Sequence, residues 1–318
     1  MFKYILKRIG LMLMTFSIIM VMYFVLIKML PINIDIQFGQ DYDAIYAAIE
    51  ARGYFEPIPV QFVLYIKRIF LEGDFGVGVN MPGLAGSSVL EVFKEKLPPT
   101  ILINVYSSLI AVPVGLGLGI YAALKKNKWQ DNTLSIGTML LNSVPSFVIA
   151  FIIQYFLCFK LNLFPLNMDP GFNYFSASMF MSMMPAVLSL AILSITSYTR
   201  KTRAELTEVL TSEFMLLART KGLTKSQATR RHALRNTMVP IFPMIVGEIV
   251  GALSGSLIIE RVFDIPGVGA LWIDSINSID YDFFLFVAGF YTLVGLVTSI
   301  VVDICYSFVD PRVKVGAK

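Results

Sequence analysis

Long apolar segments alternate with polar segments along the whole chain. A helix needs about 20 mostly apolar residues to cross the hydrocarbon core of a bilayer. Six segments have roughly that length, and they occupy residues 9–30, 101–124, 134–159, 180–198, 239–259 and 283–308. The pattern predicts an all-α integral membrane protein with six transmembrane helices. Segment 180–198 is the weakest of them, because it contains serines and Pro185.

The first apolar segment follows Lys3, Lys7 and Arg8, as the apolar core of a secretory signal peptide would. It is longer than such a core, however, and no small-x-small cleavage site follows it. The sequence therefore favours an uncleaved first helix over a signal peptide.

The composition indicates the same class of protein. The chain is 56% hydrophobic and 15% charged, with a mean hydropathy of +0.70. Soluble domains carry about a quarter charged residues. The net charge of +4 is explained by topology rather than by a nucleic-acid-binding face, because the cations are segregated by loop.

Loop charges orient the predicted helices. The amino-terminal tail, the 125–133 turn, the polar segment 198–236 and the carboxy-terminal tail hold 18 of the 26 lysines and arginines but five of the 22 acids. Cytoplasmic loops are enriched in lysine and arginine. We therefore predict that both termini and these segments are cytoplasmic and that the alternate segments face outward.

The longest charged segment lies between the fourth and fifth predicted spans, and residues 199–238 are called the 199–238 loop below. Apolar residues from Leu206 to Ala218 recur at helical spacing, which predicts one surface helix over 205–220. Gly222 fits a left-handed helix end, and the run 224–227 (Thr-Lys-Ser-Gln) matches a capping box that opens a second helix toward Pro240. Ala218 and Gly222 are small enough for another protein's backbone to approach. The arrangement indicates a docking surface for a cytosolic partner.

Residues 31–99 form the largest outward segment, which is too long for a hairpin turn and too polar to span. Its periodicity predicts a helix over 59–71 that ends at Gly73, followed by a turn. The segment has little apolar mass to bury, so it is interpreted as an extracytoplasmic appendage of the first helix. The chain is accordingly divided into residues 1–98 and 99–318.

Glycine and proline mark the second, third and fourth predicted spans. Gly115 and Gly119 form a small-xxx-small pair for close helix packing, and they lack the preceding strand of a dinucleotide-binding loop. Pro113, Pro145 and Pro185 interrupt the three spans, which suits a bundle that rearranges.

The fifth and sixth predicted spans contain charged and small residues of interest. Gly247, Gly251 and Gly255 recur every four residues and would share one helix face, which either packs on a neighbour or lines a path. Glu248 is an acid near the centre of a span, so it either contacts substrate or forms a structural hydrogen bond. Asp303 lies nearer the cytoplasmic end and is interpreted as an interfacial anchor.

In these features the chain resembles the inner-membrane permeases of ATP-binding-cassette (ABC) importers, and specifically the B-type subunit of the oligopeptide, dipeptide and nickel permease family. The 199–238 loop has the family's docking pattern in two runs, Ala218-Arg219-Thr220-Lys221-Gly222-Leu223 and His232-Ala233-Leu234-Arg235-Asn236. Motifs elsewhere extend the resemblance over nearly the full length, and they are Tyr4-Ile5-Leu6-Lys7-Arg8, Gly73-Asp74-Phe75-Gly76, Leu97-Pro98-Pro99-Thr100, Pro145-Ser146-Phe147, the 260–269 run from Glu260 to Gly269, Asp280-Tyr281, Asp303 and Asp310-Pro311-Arg312.

The sequence departs from the family pattern at three places. Leu216 and Leu217 stand where the general importer motif has Glu and Ala, and Leu234-Arg235 stands where it has Leu-Pro. The run Leu30-Pro31-Ile32-Asn33 lacks the Pro-Gly-Asp-Pro that is typical after the first span.

The resemblance implies a type I ABC importer fold, with residues 99–318 as the five-helix transmembrane domain. It implies coupling to an ATPase through Glu213, Ala218, Arg219, Gly222, Leu223 and His232, and a translocation path near Glu248, Gly247, Gly251 and Gly255. The implied partners are a C-type permease subunit in a heterodimer, two ATPase subunits, and an extracytoplasmic peptide-binding protein at the bacterial inner membrane.

The chain is expected to be neither an enzyme nor a cofactor-binding protein. It lacks the GxxxxGK[ST] loop that holds nucleotide phosphates, so partner ATPase subunits would bind ATP and Mg. The one histidine and two cysteines do not suggest a metal site. Cys158 and Cys305 are predicted at opposite membrane faces, too far apart for a disulfide.

Other functions stay open at this point. Peptide is the favoured cargo, and a nickel or metal chelate is an alternative within the same family. An ion-gradient-driven secondary transporter is compatible with six spans and Glu248, although no inverted repeat is visible and such a carrier needs no two-helix docking loop. A membrane-embedded hydrolase would need a nucleophile and base within the spans, whereas the single histidine, His232, lies in the 199–238 loop.

Overall fold

The computed structural model describes residues 2–30, 42–169, 171 and 173–309, and in these the chain is helical. The helices are α1 (Phe2–Lys28), α2 (Tyr42–Ala51), α3 (Ile58–Lys67), α4 (Val89–Leu124), α5 (Trp129–Ser143), α6 (Ser146–Ile153), α7 (Ala177–Leu210), α8 (Glu213–Thr220), α9 (Lys225–Ala228), α10 (Leu234–Gly251), α11 (Leu257–Val262), α12 (Val268–Asn277) and α13 (Tyr281–Val309). Short π-helical turns extend α3 to Glu72 and α6 to Lys160, and a third, Thr229–Ala233, joins α9 to α10.

Among the described residues, five helices are long and apolar enough to cross a membrane, and a bent pair makes six. The bent pair is the third predicted span, 134–159, whose two parts, α5 and α6, meet at 102°. The sequence predicts a span that Pro145 interrupts, and the interruption is a sharp bend between two helices. Pro145 has no N–H group, and it biases Val144 toward its observed extended conformation, with φ −87° and ψ 128°.

The fifth predicted span, 239–259, ends earlier than expected. Helix α10 ends at Gly251, and Gly255 has a left-handed φ of +66° before α11 begins at Leu257. A glycine in this conformation turns the chain out of the helix. The residues after Gly251 therefore belong to the connection between α10 and α13.

Helices α4 and α7 pack against each other along their length and form the centre of the bundle. A Cβ atom at Gly115 would lie 2.5 Å from Tyr198 Cβ, and one at Gly119 would lie 2.5 Å from Thr202 Cβ. The prediction of a close-packing glycine pair is confirmed. Helix α7, the weakest span in the sequence, is well buried, and its Ser189 hydroxyl is satisfied by donating to the Pro185 carbonyl at 2.8 Å.

The described part of segment 31–99 packs onto α1 and α13, at the end of the bundle away from the 199–238 loop. The predicted helix is present as α3 with its π-helical turn, and Gly73 ends it with φ +65°. Arg52 contacts Asp282 at the start of α13 at 3.3 Å. The Lys28 ammonium at the end of α1 lies 3.6 Å from the Tyr54 ring centroid and 4.0 Å from that of Tyr281. Such cation–π contacts hold this segment against both helices.

Two of the runs that were compared with the family pattern extend outside the described residues. Asp310-Pro311-Arg312 lies entirely outside them, and so do Pro31, Ile32 and Asn33 of the run after the first span. Asp303 is described, and it forms an ion pair with Arg8 of α1 at 3.0 Å.

Candidate functional site

The 199–238 loop is built on the end of α7, which continues as a helix to Leu210. Two hydroxyl groups then bond back to the preceding turn: Thr211 Oγ1 donates to Glu208 O at 3.0 Å, and Ser212 Oγ donates to Val209 O at 2.6 Å. Such bonds compete with the helix ladder. Helix α8 begins at Glu213, so the prediction of one helix over 205–220 is wrong, and its apolar stripe is divided between α7 and α8.

The turn after α8 has the predicted geometry. Gly222 is left-handed with φ +92°, and the Leu223 amide donates to Ala218 O at 3.3 Å. Thr224 and Gln227 form the capping box: Gln227 N donates to Thr224 Oγ1 at 3.3 Å, and Thr224 N donates to Gln227 Oε1 at 3.0 Å. Both predictions are confirmed, as is the second helix that runs on through Pro240.

The 199–238 loop has a small apolar core of its own. Leu206, Met215, Ala228 and Ala233 are buried together with Ala123 at the end of α4. This core fixes the loop to the end of α4. Two of the predicted coupling residues, Ala218 and Leu223, are half-buried against the same core. They hold the loop together rather than standing free on its surface.

Helix α8 presents large apolar side chains to the outside. Phe214, Leu216 and Leu217 are 39%, 65% and 55% exposed. The predicted coupling residues Glu213, Arg219, Gly222 and His232 are exposed around them. Phe214 and Leu217 belong to the apolar stripe that the sequence predicts, whereas Leu216 stands out there only as a departure from the general importer motif. Their exposure makes Leu216 and Leu217 part of this apolar surface. The sequence signal for it is the apolar run 214–217, of which the helix buries only Met215.

Glu248 connects α10 to the central helix pair. Ser108 of α4 donates from its hydroxyl to Glu248 Oε1 at 3.1 Å. The Glu248 side chain is half-buried. The structural hydrogen bond that the sequence left open is therefore present, and contact with substrate stays a prediction.

The three glycines of the fifth predicted span do not share a helix face. Gly247 faces α13, where a Cβ atom would lie 2.9 Å from Val302 Cγ2. Gly251 is the last residue of α10 and has open space around it, whereas Gly255 lies beyond the helix. The prediction of one continuous glycine face is wrong, because the left-handed Gly255 ends the periodicity on which it rested.

Glu260 is the first residue of the 260–269 motif, and it has a structural role that the sequence does not show. Glu260 is fully buried and accepts hydrogen bonds from Thr100 Oγ1 at 3.1 Å and Gly269 N at 2.7 Å. Thr100 in turn accepts from Val268 N at 2.9 Å. Burial raises the pKa of Glu260 to about 7. A Cβ atom at Gly267 would lie 2.2 Å from Glu260 Oε2, so the glycines of the motif make room for this carboxyl group.

Glu260 supports the wall of an open cavity of about 1370 Å³ at the end of the bundle away from the 199–238 loop. The lining includes both signs of charge, with Lys96 and Arg261 beside Asp264 and Asp274. Arg261 and Asp274 form an ion pair at 3.2 Å. The two ends of the bundle are thus chemically distinct, with a polar cavity at one end and an apolar helix surface at the other.

Comparison with known families identifies the class of protein. The model of the "Binding-protein-dependent transport system inner membrane component" family matches residues 115–315. The chain belongs to this family. Its helices, up to six of which could cross a membrane among the described residues, are thus those of an ABC importer permease of the type I fold.

Individual relatives of the permease carry peptide-transport names. This permease is 33% identical over 318 residues to the dipeptide transport system permease protein DppB of Lactococcus lactis subsp. cremoris. The match covers 99% of the permease and 100% of the relative. The permease is 29% identical over 321 residues, covering 99% of both chains, to the glutathione transport system permease protein GsiC of Salmonella paratyphi A. A crystal structure of a bacterial ABC transporter involved in alginate import is similar over 86% of the permease and 100% of that chain, with 14% identity and a TM-score of 0.47.

Proposed function

We propose that this permease subunit forms one half of the membrane translocation path of an ATP-driven importer of peptides. Its other half would be a C-type permease subunit, and an extracytoplasmic binding protein would deliver the peptide. Two ATPase subunits would bind ATP and Mg and drive transport. The complex would lie in a bacterial plasma membrane, with both termini and the 199–238 loop in the cytoplasm.

The exposed apolar surface of α8 is the observation that supports this proposal best. Phe214, Leu216 and Leu217 stand exposed on a short helix that is fixed to the ends of α4 and α7 by a buried core. Exposed apolar patches rimmed by polar residues mark protein contacts. A carrier driven by an ion gradient has no need of such a surface on its loop.

The anchoring of the loop supports a mechanical role. Because Met215 of α8 is buried with Ala123 of α4 and Leu206 of α7, a movement of α8 would be passed to the central helix pair. Rigid packed elements transmit displacement in this way. An ATPase that changes shape beneath α8 could therefore rearrange the spans above it.

The peptide cargo is proposed from the names of the relatives. DppB of L. lactis is named for dipeptide transport and GsiC of S. paratyphi A for glutathione transport, so a small peptide or a peptide conjugate is the substrate class that both support. A nickel or metal chelate stays the alternative cargo. Competition for uptake among a dipeptide, glutathione and nickel chelate in proteoliposomes would separate the three.

Gly222→Val in the complete complex tests the docking role of the loop. Gly222 is left-handed with open space around it, so valine introduces backbone strain and a branched side chain on the docking side. Gly73→Val is the matched control, because Gly73 also ends a helix with a left-handed φ and open space, but in segment 31–99.

We expect both variants to be inserted in the membrane. Gly222→Val should lose bound ATPase subunits or ligand-stimulated ATP hydrolysis, whereas Gly73→Val should keep both. Wild-type uptake and coupling in Gly222→Val would contradict the docking role. Uptake that persists without ATP and follows an ion gradient would contradict the importer and favour the secondary transporter.

A further inference from the structure

We propose that the Asp131–Arg203 ion pair is a positioning contact that couples the 199–238 loop to the bent helix pair α5–α6. The inference rests on the proposed function, because it assumes that the loop receives an ATPase. It adds a route by which the movement of the loop would reach the cavity at the other end of the bundle.

The ion pair joins two helices that are separate in the sequence. Asp131 lies in the first turn of α5 and is fully buried, while Arg203 lies on the part of α7 that leads to α8. Arg203 contacts both carboxylate oxygens, with Nε directed to Oδ1 and Nη2 2.8 Å from Oδ2. Bidentate pairs of this kind fix the relative orientation of their partners.

Further donors complete the Asp131 site. The backbone N–H of Asn127 donates to Asp131 Oδ2 at 3.0 Å, and Ser135 Oγ donates to Oδ1 at 3.4 Å. Asn127 holds a left-handed φ of +63° in the turn between α4 and α5. The carboxylate thus joins the α4–α5 turn, the start of α5 and the part of α7 that leads to α8 at one point. A buried carboxylate that is this fully satisfied specifies one arrangement of its surroundings.

A second contact joins α5 to α7 nearer the bend. The Asn142 amide satisfies its neighbours when its oxygen faces Arg200, at 2.6 Å, and its nitrogen faces Thr196, at 3.2 Å. Asn142 stands at the end of α5, just before Val144 and Pro145. The 196–203 part of α7 therefore contacts both ends of α5.

Beyond the bend, α6 leads to the wall of the cavity. Ile149 and Ile153 are buried in the same core as Ile259 and Phe263 of the α10–α13 connection. Gln154 Nε2 also donates to Val262 O at 3.0 Å, next to the cavity residue Arg261. A continuous series of packed contacts therefore runs from α8 through α7, α5 and α6 to the cavity, and Asp131–Arg203 forms its step from α7 to α5.

The test uses the complete complex in proteoliposomes and measures three quantities: bound ATPase subunits, ligand-stimulated ATP hydrolysis, and peptide imported per ATP hydrolysed. Arg203→Met removes the ion pair. The double variant Asp131→Asn with Arg203→Gln replaces it by a neutral hydrogen-bonding pair, so it avoids the cost of a buried unpaired charge. Lys201→Met is the matched control, because the ion pair that Lys201 forms among the described residues, with Glu205 at 2.7 Å, lies within its own helix.

We expect all three variants to keep their ATPase subunits, and Lys201→Met to import like the wild type. In the double variant hydrolysis should continue while peptide imported per ATP falls by about tenfold, a size typical of coupling between sites. Loss of the same size in Lys201→Met, or wild-type stoichiometry in the double variant, would overturn the proposal. A wild-type complex without ATP-dependent uptake would instead contradict the proposed function itself.

Discussion

At the scale of single residues, Glu248 and Glu260 are held in different ways. Glu260 is fully buried and accepts hydrogen bonds from Thr100 and Gly269, so a mobile ligand has no access to its carboxyl group. Glu248 is half-buried and accepts from Ser108. Of the two acids, Glu248 is therefore the one that can contact a substrate.

Glu248→Gln tests whether its charge is needed for transport. Glutamine keeps an oxygen acceptor for Ser108 but removes the charge, whereas Ser108→Ala keeps the charge and removes the hydrogen bond. If the carboxylate contacts a substrate cation, Glu248→Gln should lower uptake by tenfold or more, the equivalent of about 1.4 kcal/mol. Ser108→Ala should then change uptake much less. Initial rates of peptide uptake would decide, and a reversed order would assign Glu248 a packing role.

The sequence alone shows which acids lie in unusual positions, but it does not show which residues they contact. Glu248 stands out because an acid within an apolar span is costly. Glu260 does not, because it follows a span and resembles any loop acid. Its burial depends on Thr100 and the 267–269 backbone, which are distant in the sequence. The Asp131–Arg203 pair is missed for the same reason, since each residue alone fits an ordinary cytoplasmic loop.

At the scale of helices, the predictions succeed where one local signal decides the outcome. Gly222 and the Thr224–Gln227 capping box are local signals, and both are confirmed. Pro145 predicts an interruption of the third span. Hydropathy does not show that the interruption is a 102° bend, since the apolar composition continues on both sides of Pro145. The division of 205–220 depends on hydroxyl groups at 211 and 212 that compete with the backbone, a choice that periodicity does not show.

Gly119→Ala tests the close packing of α4 on α7. A Cβ atom there would lie 2.5 Å from Thr202 Cβ and 2.8 Å from the Thr199 carbonyl oxygen, so the helices must separate. Overpacking of this kind costs about 1–3 kcal/mol. Gly117→Ala, with open space at the same helix depth, should be neutral or slightly stabilising. Thermal denaturation of the purified complex should show a lower Tm for Gly119→Ala only, and equal Tm values would contradict the packing.

At the scale of the whole molecule, the orientation in the membrane is the largest prediction that rests on charge alone. The ion pair between Arg8 and Asp303 places the start of α1 beside the end of α13. This agrees with an even number of spans. Which face of the membrane these ends occupy was predicted only from the distribution of lysine and arginine between loops.

Single cysteines report that orientation in intact cells. Cys158 and Cys305 would first be replaced by serine, and a cysteine would then be placed at Glu56 or at Lys225, which are both exposed. An impermeant thiol reagent added outside should label Glu56→Cys and leave Lys225→Cys unlabelled until the membrane is opened. Labelling with the opposite sidedness would invert the topology.

The position of α1 has a consequence for biosynthesis. This helix leaves the ribosome first, yet it packs mainly against α13: Arg8 with Asp303, Met20 against Gly289, and Lys28 over the ring of Tyr281. Translation at about 5–20 residues per second separates the two by tens of seconds. During that interval α1 lies in lipid without α13. A chain released before α13 is made would therefore contain α1 as an inserted but unassembled helix.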